Sequence, residues 1–333
     1  MKKEIEHLIF HATLAASTHN TQPWKFEVVE NQVSIYPDYN RSLHVADTDT
    51  HELFISLGCA LENLVIAAEH FGYLPLVHIH TADEPFIDES YIRVQLYPFH
   101  ELTTNDLFEQ IDRRQTTRRP YDGKPIPEEH LQVLKSATIQ EDVDCLLLTQ
   151  PDEIEKVTAL VKEACIRQYS NPAYVEEHAH WVRFNKSKAL NSGDGLYNAV
   201  IGTAAVPEWF GKFMMGVSVS PEKEADKVEQ LIRSSSALAI FIANRNDQKA
   251  WINLGRSFQR FALTATSLNI KIAHENMACE EVEEREKLAR LLELDKFSQP
   301  LLILRMGYAD KMPYSYRRPI REVVTEPIND LLI

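Results

Sequence analysis

Two helix-forming segments 197 positions apart carry a glycine at the same register, and this feature constrains the fold more than any other. Phe54-Ile55-Ser56-Leu57-Gly58 falls on Trp251-Ile252-Asn253-Leu254-Gly255. Continuing without a gap, Leu61 meets Phe258, Leu64 meets Phe261, Ala68 meets Ala265 and Gly72 meets Asn269. A glycine inside a helix costs about 1 kcal/mol against alanine, so keeping one in both segments calls for a packing reason. Both segments end at a residue that tolerates left-handed backbone, Gly72 or Asn269. Amphipathic helices resemble one another without common origin, but the shared interior glycine favours a duplication. Two similar halves pack as a dimer does, about a pseudo-two-fold axis.

A chain of 333 residues allows two domains or one large one. Its 35 basic residues face 49 acidic ones, a net charge of -14. Such a surface repels phosphate backbones and anionic lipids, which excludes nucleic acid and membrane as general partners. The longest strongly apolar run, Ala237 to Ala243, is too short to cross a bilayer. Glu4, Glu6, His7 and His11 interrupt the apolar stretch a signal peptide needs, so export by that route is not expected. Cys59, Cys145, Cys165 and Cys279 are never closer than 20 positions, which excludes CxxC and zinc-ribbon spacings. An even count permits two disulfides, but a large, helix-rich chain reads better as cytoplasmic with reduced thiols. With ten glycines, the chain has neither the GxGxxG fingerprint nor a Walker A loop. The pair Gly193-Asp194-Gly195 has no third partner, so any nucleotide must be held by side chains.

Apolar spacing predicts helices over 4–16, 51–71, 104–113, 128–137, 151–168, 249–268 and 279–293. Strands are predicted over 25–30, 32–36, 76–80, 91–97, 144–149, 238–243 and 300–306. Helices alternate with strands, some of them wholly apolar, and the class is α+β. Residues 185–220 hold five of the ten glycines together with Trp209, Phe210, Phe213 and two methionines.

Two stretches carry chemistry. In Ser17-Thr18-His19-Asn20-Thr21-Gln22-Pro23-Trp24, each carboxamide offers an acceptor and two donors, suited to a pyrimidine-like edge that alternates C=O and N–H. The same groups equally suit a loop that satisfies its own backbone. Arg113, Arg114, Arg118 and Arg119 lie within seven residues around Thr116 and Thr117, and Arg317-Arg318 recurs near the C-terminus. Guanidinium forks bind phosphate bidentately and keep their charge. The alternative is a solvated positive face, or salt bridges to the many carboxylates. His78-Ile79-His80 and His178-Ala179-His180 lack the company that metal ligands need, and no metal site is expected.

These residues resemble a known family. ATLAASTHNTQPWKFEVV is similar to the A-P-S-x-x-N-x-Q-P-W-x-F-x-V signature of the FMN-dependent nitroreductases. RRQTTRRPYDGKPIPEEHLQVL resembles the family's opening arginine segment, and PLLILRMGYADKMPYSYRRPIREVV its last strand, glycine turn and arginine-containing tail. The order departs from that of ordinary members, in which the arginine motif precedes the Ser/Asn motif. Here Ser17–Trp24 comes first and 113–119 later, a layout that resembles the tandem, Acg-type subgroup with two nitroreductase-like halves in one chain.

The resemblance implies an α+β, nitroreductase-like fold whose tandem halves, 1–100 and 101–333, form a pseudo-dimer of central mixed or antiparallel sheets flanked by helices. One copy of each motif implies one complete site, hence one FMN per chain and a monomer. By this resemblance Arg113, Arg114 and Arg118 hold the FMN phosphate with help from Arg317 or Arg318. Ser17, His19, Asn20 and Gln22 approach the ring system, and the loop at His274-Glu275-Asn276 is a candidate for the flavin N5 side. No catalytic residue is implied, because hydride passes from NAD(P)H through flavin N5 to a small-molecule electron acceptor while the protein supplies orientation and electrostatics. The expected function is an oxidoreductase acting on nitroaromatic or quinone-like acceptors; the alternative is an FMN-sequestering or storage protein with little turnover. Residues 185–220 suit either a lid over an apolar ring or an ordinary insertion packed on the core.

Overall fold

Trp24 and Phe26 are fully buried and alternate with half-buried Lys25 and Glu27, which makes Trp24–Val29 a strand with one face in the core. Glu30 turns the chain in left-handed backbone (φ 53°) and Gln32–Pro37 returns antiparallel. Tyr91–Pro98 and Tyr73–His80 extend the sheet, and Val324–Thr325 closes its other edge parallel to Trp24–Val29. This computed structural model describes residues 2–82, 84, 87–99 and 106–325.

The second sheet runs in the order Val143–Leu148, Ala237–Ala243, Gln299–Gly307, Lys271–His274, antiparallel throughout. Ala237–Ala243 is buried at every residue because both faces are covered. Ala237, Ala239 and Phe241 pack toward helix Gln248–Ser267, whereas Leu238, Ile240 and Ile242 pack toward helices Pro151–Ser170 and Pro221–Arg233. The two-sided burial explains why this strand reads as an unbroken apolar run rather than an alternation.

Helices His51–His70 and Gln248–Ser267 form the centre of the molecule and pack against each other. A Cβ added to Gly58 would strike the Ile252 carbonyl oxygen, and one added to Gly255 would strike the Ile55 carbonyl oxygen. These contacts exchange under the 197-residue shift. So do two hydrogen-bonded pairs: Arg260 donates to Glu62 (2.5 Å) and Gln259 donates to Asn63 (2.8 Å). The contacts of this helix pair thus swap partners, and the close crossing is the packing reason for each helix's interior glycine. His51–His70 is also long and apolar enough to cross a membrane, but its apolar window is wholly buried in the protein.

The α+β class is as expected, with two sheets flanked by helices. Three sequence expectations need correction. The helix expected over 104–113 is a single turn, Phe108–Ile111, with residues 104 and 105 outside the described residues. The helix expected over 279–293 is broken: Glu281 is extended (φ -79°, ψ 115°) and separates Met277–Glu280 from Val282–Leu291. Helices Pro172–Trp181, Lys186–Ser192, Glu208–Ser218 and Pro221–Arg233 fill a region that periodicity left open. Residues after 101 contribute to both sheets, because the C-terminal strand crosses back to the first, and residues 100–105 around the expected boundary lie outside the described ones. All four cysteines are free and buried.

Candidate functional site

A cavity of about 600 Å³ opens where the loop after the first helix, the arginine segment and the 185–220 region meet. Thr116 is bridged in parallel to Ile272, and the Thr117 amide donates to Ile272 (2.9 Å). Arg114, Gln115, Thr116 and Arg118 line the cavity. Arg119 is exposed near Asp310, and Arg113 lies at the end of the preceding helical turn, exposed beside Glu109.

Arg114 Nη2 donates to the Leu14 carbonyl (3.2 Å) while its buried Nε has no partner. Arg317 reaches the same place from the C-terminal tail, donating to the carbonyls of Thr13 (3.0 Å) and Leu14 (3.2 Å) where helix Lys2–Thr13 ends. The exposed carbonyls of a helix C-terminus favour cations. Among the described residues no carboxylate forms an ion pair with Arg114, Arg118 or Arg317, and Arg118 makes no hydrogen bond either. Burial, with the charge of Arg114 beside it, draws the Arg317 guanidinium down to about 9. Burial, opposed by Glu275 and assisted by Arg305 and Arg114, draws Arg118 to about 10. Charge held away from water without an ion-pair partner is costly, and an anion placed among these three guanidiniums would offset that cost.

The loop Ser17–Gln22 is held in strained backbone: His19, Asn20 and Gln22 all adopt positive φ (49°, 55° and 53°). Such strain persists only where the surroundings impose it. The Asn20 side chain donates to the carbonyls of Gly195 and Tyr316 (both 3.1 Å), and the Gln22 side chain donates to Gly193 (2.8 Å) and accepts from the Arg318 amide (2.9 Å). Ser17 Oγ accepts from the Gln22 amide (3.0 Å). Gly193 and Gly195, both at positive φ, lie so close to the Arg317 and Trp181 carbonyls that a Cβ would not fit at either. Asp194 between them pairs with Arg183 (2.7 Å) and Arg41, fastening this strap to the first half.

Of the sequence candidates, Ser17, His19, Asn20, Arg114, Arg118 and Arg317 line the cavity. Gln22, Arg113 and Arg318 do not. Gln22 is fully buried, with its amide committed to backbone, and Arg318 donates to the Glu322 carbonyl (2.8 Å). The wall also holds His274, Glu275 and Asn276, residues of the 185–220 stretch, and His178, which the sequence did not mark as a site residue. His178 accepts or donates a hydrogen bond with His19 (3.0 Å). Burial and the nearby Arg118 charge draw His178 to about 4 and His274 to about 3, so both imidazoles are neutral at pH 7. Phe184, Val206, Phe210, Met214 and Met215 make an apolar wall, with Trp209 and Phe213 exposed on the outer side of the same helix, Glu208–Ser218. No local pattern separates the cavity-facing arginines from the others, since Arg114, Gln115, Thr116 and Arg118 all line the cavity.

Asp47, Asp49 and His51 bring ligand atoms within 4.8 Å of one another, but their groups are already engaged. His51 pairs with Asp49 (2.5 Å), Arg285 with Asp49 (2.7 Å), and Asp47 caps the amides of Glu52 (3.1 Å) and Leu53 (2.9 Å).

No family model matches the chain. It is 24% identical over 338 residues to the "Putative NAD(P)H nitroreductase Rv3131" of Mycobacterium tuberculosis, covering 95% of this chain and 89% of that protein. It is 20% identical over 324 residues to the "Putative NAD(P)H nitroreductase acg" of the same organism, covering 94% and 92%. Among solved structures, a nitroreductase with bound FMN from Bacteroides fragilis aligns with TM-score 0.38 and 15% identity, over 69% of this chain and 99% of that one. The NADPH:FMN oxidoreductase from Vibrio harveyi complexed with NAD+ aligns with TM-score 0.41 and 14% identity, over 67% and 77%. The chain is thus a relative, along nearly its whole length, of proteins named as nitroreductases. Acg, the type suggested by the order of its motifs, is among them.

Proposed function

We propose that the cavity binds one FMN and that the protein is an NAD(P)H-dependent oxidoreductase for nitroaromatic or quinone-like acceptors. The observation that carries this reading is a wall of three guanidiniums, Arg114 buried and Arg118 and Arg317 partly so, with no ion-paired carboxylate among the described residues, continuous with an apolar and aromatic wall. A phosphate dianion beside a flat, largely apolar ring system matches both ends. Arg114, Arg118 and Arg317 hold the phosphate, with the Thr116 hydroxyl on the same face. Ser17 and His19 meet the ring system, while Asn20 and Gln22 act by locking the loop that presents them. FMN, when bound, supplies the two-electron hydride chemistry that no side chain here possesses. The chain's own part is to orient the reactants and to keep His19, His178 and His274 neutral, so that the positive charge stays on the guanidiniums. The names of the relatives, NAD(P)H nitroreductases, agree with the donor and the reaction class.

With one arginine wall and one Ser17–Gln22 loop, the reading assigns one FMN per chain and a monomer that imitates a dimer. Phe210, Met214 and Met215 give the 185–220 region a place in the cavity wall. They favour a second reading in which this region covers the flavin and the protein stores it. The test is the absorbance spectrum of the purified protein, followed by anaerobic NADH and NADPH. Bleaching of a yellow protein supports the reductase, whereas a yellow protein that stays oxidised supports storage. Arg114→Ala together with Arg118→Ala is expected to release the flavin; full FMN occupancy in that variant refutes the assignment.

A further inference from the structure

Elsewhere in the cavity wall, two carboxyl groups meet. Glu280, at the end of helix Met277–Glu280, lines the cavity, and Glu52, in the first turn of His51–His70, is buried (1% accessible). Asn276, at the start of that helix, donates to Glu52 Oε1 (3.0 Å), and Gln168 donates to Glu280 Oε2 (2.5 Å). The buried Glu52 Oε2 has no partner, and the two carboxyl groups lie close enough to act on each other. Ionised carboxylates only accept, so a proton on one of the two relieves both.

The surroundings keep that proton in place. Asp47 and His51 approach Glu52, Glu281 follows Glu280, and Cys279 and Arg285 lie beside them. Cys165 and Tyr169 face the pair from helix Pro151–Ser170, and Tyr174 from Pro172–Trp181. The two cations are spent, because His51 and Arg285 both pair with Asp49. Burial, with Asp47 and Glu281 nearby, raises Glu280 to about 7 against the pull of Gln168 and Glu52. An acid whose pKa lies near the working pH is best placed to transfer a proton.

We propose that Glu280, positioned by Glu52, is the acid that protonates a quinone-like acceptor bound in the cavity, an inference that rests on the oxidoreductase reading above. NAD(P)H is oxidised to NAD(P)+ and the acceptor gains a hydride equivalent. The Glu280 O–H bond breaks, an O–H bond forms on the acceptor oxygen, and solvent returns the proton to the pair. The net change is acceptor plus NAD(P)H plus one proton giving hydroquinone plus NAD(P)+.

The test combines infrared titration with kinetics on the purified protein. The wild type is expected to show a protonated-carboxyl C=O band that disappears as pH rises through about 7, and Glu280→Gln to lack it at unchanged FMN content. With a benzoquinone as probe, turnover in the wild type falls above that pH, whereas Glu280→Gln is slower by about 10²-fold, with a flat profile there. Glu52→Gln shifts the midpoint to lower pH, because Glu280 loses its carboxyl neighbour; this variant also serves if Glu280→Gln does not fold. A band that still titrates near pH 7 in Glu280→Gln, or a pH profile that does not change, overturns the acid and leaves FMN binding standing. A wild-type protein that takes up no FMN overturns the proposed function, and the acid with it.

Discussion

Arg114 and Arg118 line the cavity, while Arg113 and Arg119 face the exposed carboxylates of Glu109 and Asp310. The run of basic residues was legible in the sequence, but its division was not, because it depends on how the segment lies beside Lys271–His274. The wall is a liability: like charges gather at low exposure, and the acidic group that acts on Arg118, Glu275, is paired with Arg305. Arg118→Met is therefore expected to stabilise the ligand-free protein, by about 1 kcal/mol or more, as replacing an uncompensated buried charge does elsewhere. It should also abolish the gain in melting temperature expected when FMN is added to the wild type. Thermal unfolding of both proteins with and without FMN checks both halves of this expectation.

At the scale of the element, the crossing of His51–His70 with Gln248–Ser267 sets the strictest demand. Each interior glycine faces the other helix's backbone, not a side chain that could move aside. Gly58→Ala and Gly255→Ala are both expected to destabilise by roughly 3 kcal/mol through overpacking, and by similar amounts because the two contacts swap partners. Gly216→Ala is the control: nothing stands within 4 Å of its added Cβ, and in helix Glu208–Ser218 it should be neutral or stabilising by about 0.5–1 kcal/mol. Urea unfolding midpoints separate the cases, and a mild effect at Gly58 would contradict the close crossing. The 197-residue shift marks this element in the sequence alone. The break at Glu281 had no such signal, since the charged residues flanking it suit a continuous helix equally well.

For the whole molecule, the balance of buried ionisable groups writes a pH dependence. His178 and His274 titrate near 4 and 3 when folded and near 6.5 when unfolded. The unfolded chain therefore binds more protons in that interval, and the histidines' contribution to stability is complete above pH 6.5 and lost as pH falls toward 4. Glu280, raised to about 7, acts oppositely: its contribution is present below about 4.5 and lost as pH rises through 7. Replacing His178 with Asn should thus narrow the difference in urea midpoint between pH 6.5 and pH 4.5, and Glu280→Gln should shift that difference upward. Equal differences in wild type and His178→Asn would show that the imidazole is not held neutral.

Near neighbours and period suffice to read the α+β class, most strands of the two sheets, the paired central helices, and the loop and arginine segment that carry polar chemistry. Which of those polar groups face the cavity depends on packing between distant segments. Asn20 and Gln22 carry donors suited to a ligand, yet the strap Gly193–Gly195 and the C-terminal tail take them for backbone. His178, Glu280 and Glu52 become neighbours of the site through contacts spanning hundreds of residues, and no local pattern records such contacts. A side chain's character is written in the chain; its partner, and with it its charge and its role, is set by what folding brings beside it.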